Sequence, residues 1–291
     1  MRKILKSIWK IISAPFRFLL WLFKTIYRWL SKIFSEIHEF LTEEPEDEPL
    51  PDTLAKTIEN PVGLFTHIDA LRKHLLRALI FLAITTSISF SFTKQIIDIL
   101  AEPVGGIEAL KAIDITEPVG VYMRVALLCG FALALPYIAL ELWLFAAPGL
   151  KRKSRIYSLL AIPILTIFFL AGMAFAYFVM LPAAIPILIN FMGMNTELRP
   201  SSYIKFITGV MFWIGVAFEF PLVIYVLALI RVVNAKQLLN QWRLAVVIIA
   251  VAAATITPTV DPVNMSIVMG PLILLYFISI GLASFAQRQN S

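Results

Sequence analysis

The sequence predicts an all-α membrane protein of six transmembrane helices, preceded by an amphipathic helix that lies on the membrane surface. Three observations predict it. Hydrophobic residues fill 59% of the 291 positions and charged residues only 15%, against about a quarter charged in an ordinary soluble domain. Apolar runs long enough to cross a bilayer recur along the chain, and the mean hydropathy is +0.84. The net charge of +6 is gathered in short segments between those runs, which is the positive-inside pattern of a membrane protein and excludes a nucleic-acid patch. The single cysteine, Cys129, lies inside an apolar run and reads as a small packing residue.

Residues 1–41 form the first element. Lys3, Lys6, Lys10, Arg17, Lys24, Arg28 and Lys32 fall on one arc of a helix, with Ile4, Leu5, Ile8, Ile12, Phe16, Leu19 and Phe23 opposite. A signal peptide has its charges ahead of one apolar core, whereas these recur throughout. A spanning helix would bury Arg17 and Lys24 in hydrocarbon, at several kcal/mol each. An interfacial helix keeps every cation at the headgroups; a helix packed on a partner protein is the rival reading. Residues 42–63 are acidic and proline-rich, a solvated linker between that helix and the membrane domain of 64–291.

The runs that follow cover about 75–97, 119–146, 156–181, 203–230, 243–256 and 263–285. A crossing takes about 20 helical residues, so the fifth is short, ended by Pro258. Lys151, Arg152, Lys153 and Arg155, then Arg231, Lys236 and Arg243, and finally Arg288 share a side with the basic N-terminal segment. Asp98, Glu102, Glu108, Asp114, Glu117, Glu197, Arg199 and Asp261 occupy the other. Six spans with both termini inside satisfy every loop.

Several short motifs stand in order along these spans: HIDALRKHLL (67–76), TEPVGVYMR (116–124), Pro136 followed by ELWLFAAPGLKRKSR (141–155), GMAFAYFVMLP (172–182), GVAFEFP (215–221) and TPTVDP (257–262). Together, over about residues 65–287, they resemble the TatC family, the multi-span subunit of the twin-arginine (Sec-independent) protein translocase. The resemblance implies a cup-shaped bundle whose fifth and sixth spans are short. It implies a receptor in the prokaryotic cytoplasmic membrane that binds twin-arginine signal peptides at its cytoplasmic face. It also implies small single-span partners of the TatA/TatB type, a homo-oligomer within a larger complex in the lipid, and export of folded proteins driven by the proton-motive force. No phosphate-cradling glycine loop is present, no cofactor or nucleic acid is called for, and no nucleophile–base or metal-ligand set suggests an enzyme.

Recognition of paired arginines calls for carboxylates, whose geometry matches the guanidinium fork. Here the chain departs from the family, which has glutamates where this sequence has Ala70, Ser154 and Phe277. The remaining inner-face candidates are Asp69, Arg72, Arg152 and Arg155, and Glu141 is expected to pair with Arg152 or Arg155. Glu219, inside the fourth span between Phe218 and Phe220, is the strongest candidate, because a mid-span carboxylate normally faces a cavity or another subunit. Tight structural packing of a protonated glutamate is the alternative. The resemblance adds Thr257 and Asn264 as partners in the same polar cavity, contacting a partner helix. Glu117 and Asp261 are outer-face cap residues, functional or simply helix caps. His67 and His74 stand on one helix face without further ligands, which speaks against a metal site. Two other functions fit the same runs: a divergent membrane scaffold with altered cargo recognition, and a small-solute secondary transporter, although the latter calls for an internal repeat that is not visible.

Overall fold

The computed structural model describes residues 61–147, 152–189, 198–229, 232–257 and 262–289, and these are helical with no strand among them. The amphipathic segment 1–41, the linker up to residue 60, and Asp261 lie outside the described residues. Among those described, one compact unit holds 61–74 with 142–147 and 152–159, and the second holds the rest.

Helix α1 runs Pro61–Ser89 over 29 residues, roughly 43 Å at 1.5 Å per residue. Its opening proline gives up no intrahelical hydrogen bond there. The apolar run expected as one helix over 75–97 is broken: α2, Thr93–Ala101, leaves α1 at 72°. The reason is local. Ser89 Oγ donates to the Thr85 carbonyl at 2.9 Å and Thr93 Oγ1 to the Ser89 carbonyl at 2.8 Å, and such back-bonding bends helices. Helix α2 is amphipathic, with Thr93, Ile97, Leu100 and Ala101 buried along one face. Tyr177 and Tyr203 hydroxyls donate to the carbonyls of Ile99 and Leu100 at its end. Gly105 and Gly106 follow, both at φ +95°, a left-handed backbone that side chains resist.

Helix α3 is Glu117–Ala146 and is 30 residues long. Helix α4, Arg152–Phe175, passes through a π-turn at Ala176–Met180 into α5, Leu181–Ile189. The third apolar helix therefore extends through Ile187, beyond the expected end near 181. Helices α6 (Pro200–Phe218) and α7 (Phe220–Leu229) form one 30-residue span. It is interrupted only at Glu219, two residues before Pro221, whose ring cannot donate to the ladder. A short α8, Ala235–Asn240, is capped reciprocally by Asn234 and Gln237. Helix α9, Trp242–Ile256, has 15 residues, about 22 Å, which matches the short fifth span. Helix α10, Pro262–Gln289, is not short: it runs 28 residues because Pro271 is absorbed without a break. Among the described residues, four helices are long and apolar enough to cross a membrane, five if the bent α1–α2 pair counts as one.

Within the second unit the core lies where α2, α3, the π-turn with α5, and α6 meet, around Val125, Ala176, Leu181, Ile204, Ile207 and Ile214. Two crossings are close enough to depend on glycine. A Cβ on Gly130 of α3 would stand 2.6 Å from Thr86 Cα of α1, and one on Gly172 of α4 would stand 2.8 Å from Gly215 Cα of α6. Lipid is as apolar as leucine, so such backbone-to-backbone packing and its dispersion energy hold membrane helices together.

Candidate functional site

Glu219 follows from the Gly172–Gly215 crossing. It stands one turn beyond Gly215, where α6 presses on α4 with Phe169 packed against Gly215 and Phe218 against Gly172. The contact is too close for side chains, so the carboxyl is enclosed among aromatic rings and backbone. Both of its oxygens are buried, and neither has a hydrogen-bond partner among the described residues; the main chain of Phe169 lies nearby without completing a bond. An unmade bond on a buried polar group costs about 1–3 kcal/mol, more for a charge. The flanking Val216 and Phe220 are exposed, so the carboxyl sits just behind a surface that faces lipid or another chain.

Among the described residues, Glu219 and Thr257 are not in contact with each other. Thr257, at the end of α9, lines a small apolar cleft with Met180, Ala184, Phe206 and Val210, and its hydroxyl is bonded to the Ala253 carbonyl at 2.9 Å. Glu219 lies nine residues further along the span than Val210, about 13 Å along the axis. Thr257 packs at the Val210 level of the span, so it and Glu219 stand at separate depths. Asn264 stands in the first turn of α10, with its side chain outside the described residues.

At the first residue of α3, Glu117 behaves in the opposite way. Its side chain is 6% exposed. It accepts Arg199 Nε at 3.0 Å, a second Arg199 nitrogen, Ser201 Oγ at 3.2 Å and the Ile113 N–H at 3.3 Å. The Lys111 N–H bonds the Leu198 carbonyl beside it. Asp114, in the same loop, is held below its usual carboxylate range mainly by the Thr116 N–H, 3.1 Å from Oδ1. Glu117 is therefore an interloop fastener, a role the sequence left undecided because Arg199 is 82 residues away.

Near the start of α1, Asp69 pairs with Lys73 one turn on, 3.5 Å apart with both side chains exposed, and Arg72 is exposed beside them. Arg152 and Arg155 stand in the first turn of α4, their side chains outside the described residues. Glu141, at 1% side-chain exposure, is approached by Arg77 at 3.9 Å and accepts the Tyr137 hydroxyl. Sequence reasoning missed both residues; the i, i+4 spacing of Tyr137 and Glu141 was the available signal. His67 and His74 flank Phe145, with ring centroids at 4.6 and 6.3 Å.

Comparison with known proteins gives concordant matches. The family described as Sec-independent protein translocase protein (TatC) matches residues 66–271. The Sec-independent protein translocase protein TatC of Carboxydothermus hydrogenoformans is 32% identical over 235 residues, covering 80% of this chain and 97% of its own. The chloroplastic TATC of Arabidopsis thaliana is 32% identical over 246 residues, covering 83% of this chain and 70% of its own. A crystal structure of the twin-arginine translocase receptor TatC superimposes with a TM-score of 0.65 at 31% identity, over 76% of this chain and 99% of that one.

Proposed function

The chain belongs to the TatC family of Sec-independent protein translocase proteins, and from that premise we propose that it is the receptor and organising subunit of a twin-arginine export system. It is a multi-pass membrane protein and a transport component of its translocase. In the proposed arrangement the bent α1–α2 pair, α3, α4–α5, α6–α7, α9 and α10 make six crossings with both termini in the cytoplasm. The membrane is the prokaryotic cytoplasmic membrane; the chloroplastic relative shows the family elsewhere. Segment 1–41 lies on the inner leaflet, joined by the linker to the membrane domain.

Signal peptides are received at the inner face, where Asp69, Arg72, Arg152 and Arg155 belong to one compact unit. Small single-span partners of the TatA/TatB type dock along α6–α7, α9 and α10, where α9 spans only about 22 Å against a hydrocarbon core of about 30 Å and so thins the bilayer. Thr257 and Asn264 mark one contact position at the α9–α10 junction, and Glu219 a second. Glu117 and Asp261 belong to the outer cap. Copies of the chain assemble together in the complex, and the proton-motive force drives transport.

The observation that carries this reading is the unpartnered Glu219 carboxyl. No donor among the described residues repays the cost of burying it, and in this reading the compensating donor comes from another helix. In cells lacking their own subunit, Glu219→Ala is expected to abolish export of a twin-arginine reporter while the protein still inserts at normal level; undiminished export by that variant rejects the role. A second reading, a paralogue with altered cargo, is favoured by Ala70, Ser154 and Phe277 together with the engagement of Asp69 by Lys73. Crosslinking to a twin-arginine signal peptide separates the two: no crosslink from a correctly inserted chain selects the paralogue.

A further inference from the structure

Two cations stand inside the apolar spans with no ion pair among the described residues: Arg124 on α3 and Lys205 on α6, both exposed. Their placement follows from the register of two neighbouring helices. At one level Glu117 of α3 holds Arg199 and Ser201 at the start of α6. At a deeper level the rings of Phe131 and Phe212 meet, with centroids 5.2 Å apart. Contacts at both levels make α3 and α6 parallel and matched in depth. Glu117, Arg124 and Phe131 follow one another at intervals of seven residues, a spacing that returns to within about 20° of the same helix face. Lys205 is likewise seven residues before Phe212. Both cations therefore face the α3–α6 seam at one depth, about 10 Å from the Phe131–Phe212 layer.

They also open to the same side of the seam. On α3 the residues rotated one way from the stripe, Gly120 and Leu127, are exposed, whereas Val121 and Val125, rotated the other way, are buried. On α6 the exposed residues, Ser202 and Trp213, lie in the opposite rotational sense from those that are buried, Ile204 and Thr208. Opposite rotations on two facing parallel helices lead to one edge. That edge is apolar below the cations, with Leu127 47% and Trp213 49% exposed, and a Cβ on Gly209 would meet nothing within 4 Å. Two unpaired cations above an open apolar strip have the form of a headgroup above its chains.

We propose that the α3–α6 seam binds an anionic phospholipid in the leaflet at the Glu117 end of the spans, its phosphodiester held between Arg124 and Lys205 and its acyl chains along Leu127, Gly209 and Trp213. Desolvating a cation inside the bilayer is costly without a counter-charge, and a phosphate with two acceptor oxygens meets both groups at once. The site needs only that α3 and α6 cross the membrane, so its failure and failure of the cargo reading are distinguishable.

Native mass spectrometry of the full-length protein in detergent tests it, with phosphatidylglycerol or phosphatidylcholine added at equal ratio. The unaltered chain is expected to retain phosphatidylglycerol roughly tenfold or more over phosphatidylcholine, the scale for two cations at an anionic surface. Arg124→Gln with Lys205→Gln abolishes that preference, Arg124→Lys with Lys205→Arg keeps it, and Lys94→Gln on α2 leaves it unchanged. The charge-keeping pair guards against misfolding as the cause of loss. Equal retention by the double glutamine variant overturns the site. Displacement of the lipid by millimolar inorganic phosphate also overturns it, in favour of a free-anion site. Loss of a co-purifying membrane partner from the double variant with lipid retention intact overturns it too, assigning the seam to an acidic side chain on that partner.

Discussion

The two ends of the crossing formed by α3, α4 and α6 each hold a buried glutamate, and the two are treated oppositely. At the start of α3 Glu117 accepts hydrogen bonds from Arg199, Ser201 and the Ile113 N–H. Deeper in the same bundle, both oxygens of Glu219 are covered and bonded to nothing among the described residues. A buried carboxylate whose acceptors are filled ties its own chain together, because removing it leaves a guanidinium without its counter-ion. One whose acceptors are empty weakens the fold that contains it, and its reason for being there has to lie outside that fold. Under the proposed function, in which other membrane helices dock on this chain, the empty acceptor is the one positioned to meet them.

The sharpest way to break this contrast is Glu219→Leu. Export is expected to fall to background, as with alanine, while the melting temperature stays level or rises, because removing an unsatisfied buried group relieves about 1–3 kcal/mol. A clear drop in melting temperature would show that Glu219 is structural after all. Next in size is Gly172→Ala. Its new methyl meets the Gly215 Cα and the Ile214 carbonyl oxygen at under 3 Å, and backbone cannot yield as a side chain can. A loss of about 1–3 kcal/mol is expected, together with reduced export as the helices part around Glu219. Thermal unfolding in detergent and the reporter assay read both. The same change at Gly120, where a Cβ meets nothing within 4 Å, serves as the silent control.

Glu117→Gln comes third. It should lower thermal stability while leaving export by the folded fraction within about twofold; a selective export defect at normal stability would move Glu117 from fastener to working site. The smallest effect concerns pH. The folded Asp114 carboxyl titrates below the ordinary value of 3.8, so its contribution is complete above that value and disappears as pH falls through the lower folded one. The outer loop is then expected to be equally stable at pH 7 and pH 5, and to gain nothing from Asp114→Asn at either. Titration of that loop between pH 5 and 7, followed by amide exchange at Thr116, would contradict the assignment.

Much of the fold was legible from local chemistry. The uninterrupted apolar stretches of α3 and α6–α7, the short α9 ended before Pro258, and Glu219 as the conspicuous intramembrane charge all follow from residues close together in the chain. The break after Ser89 was not read, because hydropathy stays high through Phe90–Phe92 while hydroxyl back-bonding turns the backbone. The run expected over about 263–285 matches α10, Pro262–Gln289; its shortness was an implication of the resemblance and not of the residues, and Pro271 is accommodated within the helix. Of the candidate site, Asp69 and Arg72 are exposed near the start of α1, and Glu141 meets Arg77 and Tyr137, contacts between residues whose pairing hydropathy does not encode.

What the sequence determined unaided is the solvent of this protein and the lengths of its helices. Both depend on the free energy of transferring short stretches of side chain into hydrocarbon, a sum over neighbours in the chain. What the tertiary structure decided is the partner of each charge. Whether Glu117 meets Arg199, Glu219 finds no partner among the described residues, or Thr257 lines a cleft with Val210 depends on where helices distant in sequence touch and in what register. That is set by backbone contacts such as Gly172 against Gly215, which no single segment encodes.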